Sequence, residues 1–181
     1  MIVYTSDQNR LDNYYTQKSR FPSLDLQMIE AVDTNNFFNE HKKIAIDDQL
    51  LDEHYITHYL QHKNKHKDWG CKGVGALGCD MSHIECYKKI MKLEEPGYCL
   101  IIEDDAIVTE QFCHNIEQIL EQAVQLQSDY IHLCCNKKFH NKQYNKNNQL
   151  SSLLYGMIPQ WHTTGQLVST RGAEKLLSVL P

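Results

Sequence analysis

Tyr98–Ile102, YCLII, is an unbroken apolar run that passes directly into Glu103-Asp104-Asp105. Such a run is the pattern of a strand covered on both faces, as in a sheet packed between helix layers. The three carboxylates at its carboxyl end add a second constraint. Ligands of open α/β sheets collect outside the carboxyl ends of strands, and clustered like charges raise one another's pKa unless a cation intervenes. Hard oxygen ligands suit Mg²⁺ or Mn²⁺, which borrow further ligands from substrate phosphates. In extended backbone Glu103 and Asp105 would project to one side and Asp104 to the other, so that two carboxylates could share one site. The competing reading is a solvated turn, or acids placed at a helix start by its dipole.

The rest of the chain alternates strand-like and helix-like segments, which argues for an α/β layered sheet. Met1–Thr5 (MIVYT) reads as a first strand, the polar SDQNRLDN after it as a loop, and Leu24–Ala31 as a weaker second strand. Apolar residues at helical spacing predict helices from Asp47 to about His62, over Ser82–Leu93 with Asp80 or Ser82 as N-cap, and over Glu110–Gln125. Tyr130–Cys134 and Gln166–Ser169 read as strands, Gly172–Leu180 as a final helix, and Asn136–Gln149, rich in Lys and Asn, as a surface loop.

A length of 181 residues suits one domain, and a formal charge of -5 spread over both signs lacks the basic footprint of nucleic-acid binding. The sequence contains no transmembrane segment, since no stretch approaches the roughly 20 apolar residues of a membrane span. The N-terminal MIVYTSDQ also lacks a signal-peptide pattern, so a cytoplasmic location is expected. Seven cysteines, with Cys134 and Cys135 adjacent and no C-x-x-C pair, point to reduced thiols, the adjacent pair reading as strand core.

Within KGVGALGCDMSH, Gly73, Gly75 and Gly78 spell G-x-G-x-x-G. A dinucleotide loop needs a buried strand before its first glycine, and HKDWGCK is not one. An NAD-dependent oxidoreductase is therefore the weaker reading; glycines that permit a turn and close helix packing are the plainer one. His54, His58, His62 and His66 lie four apart and on a helix could bind Zn²⁺ or Ni²⁺, or lie partly exposed beside the face of Leu51, Tyr55 and Tyr59. Cys71, Cys79, His83 and Cys86 can be drawn as a zinc site, but their spacing fits no common module and buried thiols are favoured.

Taken in order, GALGCDMSH, YCLIIEDDAIV, SDYIHL and TTGQLVSTRGAEKLL resemble glycosyltransferase family 25, which includes lipooligosaccharide and collagen galactosyltransferases. The resemblance covers about residues 70–180 and, more loosely, the N-terminal stretch. It implies a single GT-A type, Rossmann-like α/β domain over residues 1–181 with a central mixed sheet. It also implies a UDP-sugar donor, a glycan or glycoprotein acceptor, Mn²⁺ (or Mg²⁺), and inverting transfer, most often of galactose.

Glu103-Asp104-Asp105 matches the family's DxD motif. By that carry-over Asp105 is the direct metal ligand, Glu103 or Asp104 reaches ribose or metal-bound water, and Asp104 and Asp105 are the catalytic pair. Gly75, Gly78, Cys79, Ser82 and His83 match the other signature and fall near the donor, although Ser82 and His83 read equally well as helix-capping and backbone-bonding groups. Thr164 and Gly165, followed by Ser169, Gly172 and Ala173, match the later segment, with Gln166 or its neighbours where an aromatic residue is common. The family's further C-terminal region, with another acid, has no counterpart here. Asp129 is a candidate general base. The rival reading is a catalytically inactive nucleotide-sugar-binding or interaction protein on the same fold.

Overall fold

The computed structural model describes residues 2–4, 8–32, 74–133, 149–154 and 164–179. The helix expected from Asp47, the four spaced histidines, Gly73, Cys71, the Cys134-Cys135 pair and residues 136–148 lie outside the described residues.

The chain begins with β1 (Ile2–Tyr4), α1 (Gln8–Arg20), a 3-10 turn at Pro22–Leu24 and β2 (Met28–Glu30). It continues with α2 (Val74–Ile90), β3 (Tyr98–Glu103) and α3 (Glu110–Gln125), then β4 (Tyr130–His132), β5 (Gly165–Ser169) and α4 (Thr170–Ser178). The strands form one mixed sheet in the order β2-β1-β3-β5-β4. β1 pairs in parallel with β2 and β3, whereas β5 runs antiparallel to both β3 and β4.

Side-chain alternation along β3 sets the two layers. Ile101 packs with Ile29, Cys86, Ile90, Val168 and Ala173, joining the sheet to α2 and α4. Ile102 packs on the opposite face with Tyr14, Phe21, Leu26 and Val108, under α1. Ala123 of α3 covers Ile131 and Leu167. β3 is thus covered on both faces, as its apolar run requires.

Helix ends follow local chemistry. Thr109 caps α3 by accepting from Phe112 N (3.2 Å), and Ser169 caps α4 by accepting from Gly172 N (2.8 Å). Two expectations are corrected. From Gln8 onward the expected loop is instead helical, since Gln8–Asn13 open α1. α2 begins at Val74, upstream of the expected start, so neither Asp80 nor Ser82 is its N-cap. Ser82 lies inside the helix, where its hydroxyl donates to Gly78 O (2.6 Å) and accepts from Val32 N (2.9 Å), tying β2's exit to α2.

Candidate functional site

The carboxyl end of β3 distributes its acids between the two layers. Glu103 continues the Cys99–Ile101 side and meets α2, while Asp104 continues the Leu100–Ile102 side and meets α1. Asp105 does not return to the Glu103 side by strand alternation. Ala106 N donates to Glu103 O (3.0 Å), closing a turn in which Asp105 is exposed.

One face of α1 clamps this turn. Arg10 Nη1 donates to Asp104 Oδ1 (2.5 Å), and Asn13 Nδ2 donates to the carbonyls of Asp104 (2.7 Å) and Ala106 (3.1 Å). One helical turn further on, buried Gln17 accepts from Val108 N (3.2 Å). Asp104 is only 4 % exposed. Its carboxylate is directed into the α1 interface, which fits a residue that holds the turn in place better than one that touches substrate. None of Arg10, Asn13 and Gln17 stood out in the sequence. Their spacing is helical, but polar residues give no apolar periodicity to find.

On the other face α2 presents Cys79 and His83, an i,i+4 pair on one helix side. The Cys79 thiol donates to Glu103 Oε1 (3.5 Å), and His83 Nε2 lies 3.6 Å from the same oxygen. Glu103 keeps 25 % of its side chain exposed, whereas His83 is buried. The His83 ring is held from behind: Nδ1 lies 2.7 Å from the Gln166 amide nitrogen, and the Tyr87 hydroxyl donates to Gln166 Oε1 (3.1 Å). Burial pushes the Tyr87 hydroxyl's pKa up, so it remains a protonated donor. Gln166, fully buried on β5, thus orients His83, a role that its sequence position alone did not disclose. Cys79, His83 and Glu103 could hold a divalent metal ion.

Gly75 and Gly78 are helical residues of α2, and Gly78 is buried. Thr164 and Gly165 border the same end of β3: Glu103 N donates to Thr164 O (3.0 Å), and Gly165 is the register partner of Ile102. Cys86, drawn with Cys79 and His83 as a zinc ligand, lies in the hydrophobic core with its thiol pKa pushed up to about 12 by burial. Among the described residues, Cys79, Cys86, Cys99 and Cys113 form no disulfide with one another.

Asp129 is not placed to act as a base. It precedes β4, level with Ser169 and the start of β3, at the sheet edge opposite Glu103. It accepts from Lys175 Nζ (2.6 Å), Arg171 Nε (2.5 Å) and Ser169 Oγ (3.2 Å). Those bonds lower its pKa to about 2, leaving a carboxylate with little appetite for a proton.

Residues 1–180 match glycosyltransferase family 25, described as LPS biosynthesis protein. The chain belongs to this family. Its mixed sheet between helix layers is consistent with a GT-A-like, Rossmann-like architecture. No curated protein matches the sequence at a significant level. Among the described residues of this family 25 chain, no helix is long and apolar enough to cross a membrane.

Proposed function

We propose that this family 25 chain transfers a sugar, with galactose the first candidate, from a UDP-sugar to an acceptor hydroxyl of a glycan or glycoprotein, inverting the anomeric centre. The supporting observation is the acid turn at the carboxyl tip of β3, clamped by α1 and bordered by Thr164, Gly165 and α2. That edge is where α/β sheets take nucleotides.

In this reading Glu103 and Asp105 supply oxygen ligands to Mn²⁺ (or Mg²⁺), and the partly exposed Glu103 and exposed Asp105 carboxylates leave room for it. When bound, the cation offsets negative charge on the departing diphosphate. Asp104, engaged by Arg10, fixes the turn from behind. Thr164 and Gly165 form the neighbouring wall. Gly78 and Ser82 shape the helix beside the donor, Ser82 through its bonds to Gly78 O and Val32 N. Gly75 lies in the first turn of that helix. The family's place in LPS biosynthesis fits a saccharide acceptor, and a cytoplasmic setting would supply UDP-sugars.

The test is a panel of UDP-sugars with and without Mn²⁺, read as UDP release and as thermal stabilisation. Transfer or hydrolysis that depends on metal and is lost in Asp105→Ala is expected. Stabilisation by UDP and Mn²⁺ without any turnover would instead support a catalytically inactive nucleotide-sugar-binding protein. Mn²⁺-dependent UDP binding unchanged in Asp105→Ala would remove that residue from the metal site.

A further inference from the structure

The hard-cation reading does not account for the side chains that surround Glu103 on its inner side. The donor atoms of Cys79, His83 and Glu103 all lie within 4.8 Å of one another. The set is one sulfur, one imidazole nitrogen and one carboxylate oxygen. Mn²⁺ and Mg²⁺ prefer oxygen, whereas a thiolate and an imidazole select zinc-like ions.

Two of the three spacings, those to Glu103, agree with a zinc-sized ion, and the third lies within 4.8 Å. Tetrahedral bonds of the usual Zn–S, Zn–N and Zn–O lengths set neighbouring ligand atoms about 3.4–3.6 Å apart. Cys79 Sγ and His83 Nε2 lie 3.5 and 3.6 Å from Glu103 Oε1. A second, independent observation points the same way. His83 Nε2 is buried in a side chain only 5 % exposed and has no hydrogen-bond partner. A buried ring nitrogen without a partner is costly unless something binds it.

The ring is also held as a ligand's ring would be. Metal-bound imidazoles are oriented by a hydrogen bond at the other nitrogen, and Gln166 provides one at Nδ1. Rotation of the Gln166 amide would let its oxygen accept from Nδ1–H while its nitrogen donates to the Tyr87 hydroxyl, which can act as donor or acceptor. That exchange leaves Nε2 with a lone pair aimed at the thiol and carboxylate, and it requires no movement of α2 or β5.

We propose that Cys79, His83 and Glu103 form a site for Zn²⁺, with a fourth coordination position open to water or to a ligand oxygen. Because Glu103 belongs to both this site and the proposed donor-metal site, zinc and the donor cation compete for one carboxylate. This last consequence rests on the preceding functional reading; the zinc site itself does not.

The experiment uses metal alone, without donor or acceptor. Co²⁺ titrated into the full chain is expected to give tetrahedral visible bands with a thiolate-to-cobalt band in the near ultraviolet, and Zn²⁺ to bleach both. Cys79→Ser should lose the thiolate band, and His83→Gln the tetrahedral bands. Each should weaken Zn²⁺ binding more than tenfold, and Gln166→Leu should weaken it by about 10–100-fold through loss of ring orientation.

Circular dichroism confirms that each variant is folded; if His83→Gln or Gln166→Leu is not, the half-buried Cys79 position still decides the matter. Absence of a thiolate band in the wild type, or its retention in Cys79→Ser with unchanged zinc affinity, would overturn the site.

Discussion

Gly172→Ala tests the packing of α4 through the sign of its effect. Gly172 lies in the first turn of α4 and is buried. A Cβ there would sit 2.1 Å from Asp129 O, 2.9 Å from Asp129 C and 3.2 Å from Ser169 Oγ. Two of these atoms are backbone, and the Asp129 carbonyl is further held by accepting from Ser169 N (3.0 Å). Relief therefore requires the start of α4 to move away from β4, stretching the Ser169 cap on Gly172 N (2.8 Å).

Forcing a methyl into packed structure costs about 1–3 kcal/mol, and a weakened N-cap adds about 1 kcal/mol. The better helix propensity of Ala returns about 1 kcal/mol, so the net loss is about 1–3 kcal/mol. For a chain of this size that lowers Tm by roughly 2–12 °C, measured by calorimetry or scanning fluorimetry at fixed pH. Gly172 has no left-handed backbone angle to protect. Without the close approach, Ala would stabilise by restricting the unfolded chain. A Tm equal to or above that of the wild type would therefore refute the packing argument.

Arg10→Met is expected to destabilise the chain more than Asp104→Asn in urea unfolding. The first change removes a guanidinium from a carboxylate only 4 % exposed, whereas the second keeps a polar amide of the same shape in place of the carboxylate; a reversed order would count against the clamp. Asp129, with its folded pKa lowered to about 2, contributes stability above its unfolded pKa of about 3.9 that is lost as pH falls through the folded value. Thermal melts from pH 5 to pH 2 should fall less steeply for Asp129→Asn than for the wild type, with the difference shrinking at high salt. Iodoacetamide near pH 8 should label Cys79 well before Cys86, whose buried thiol is pushed up to about 12; peptide mass spectrometry reads the order.

The central strand and its acid tip were legible because an unbroken apolar run has few other uses, and β3 spans Tyr98–Glu103. α3 likewise spans the expected Glu110–Gln125, since Ile116, Ile119, Leu120 and Ala123 give it one apolar face. α1 was hidden because the face that clamps the acid turn is built from Arg10, Asn13 and Gln17, so helically spaced contacts occur without periodic hydrophobicity. The start of α2 was obscured by Gly75 and Gly78, poor helix formers whose cost is overridden by tertiary packing.

Once α2 is known to begin at Val74, the Cys79–His83 spacing becomes visible as one helical face; from the sequence alone Cys79 fell in the glycine cluster ahead of the helix expected from Ser82. Its approach to Glu103 is a long-range contact, and no local pattern encodes that distance. The separation of Asp104 from Glu103 did follow from strand alternation, whereas the exposed position of Asp105 depends on the turn closed by Ala106.

The strand order carries a consequence for biosynthesis. Among the described residues β5 is the last strand, yet it lies between β3 and β4, so neither neighbour has its partner there while the nascent chain still ends before Gly165. Ribosome-bound intermediates of that length would display two unsatisfied strand edges, inviting chaperone capture or mispairing with other chains until the Gln166-bearing segment emerges and joins them.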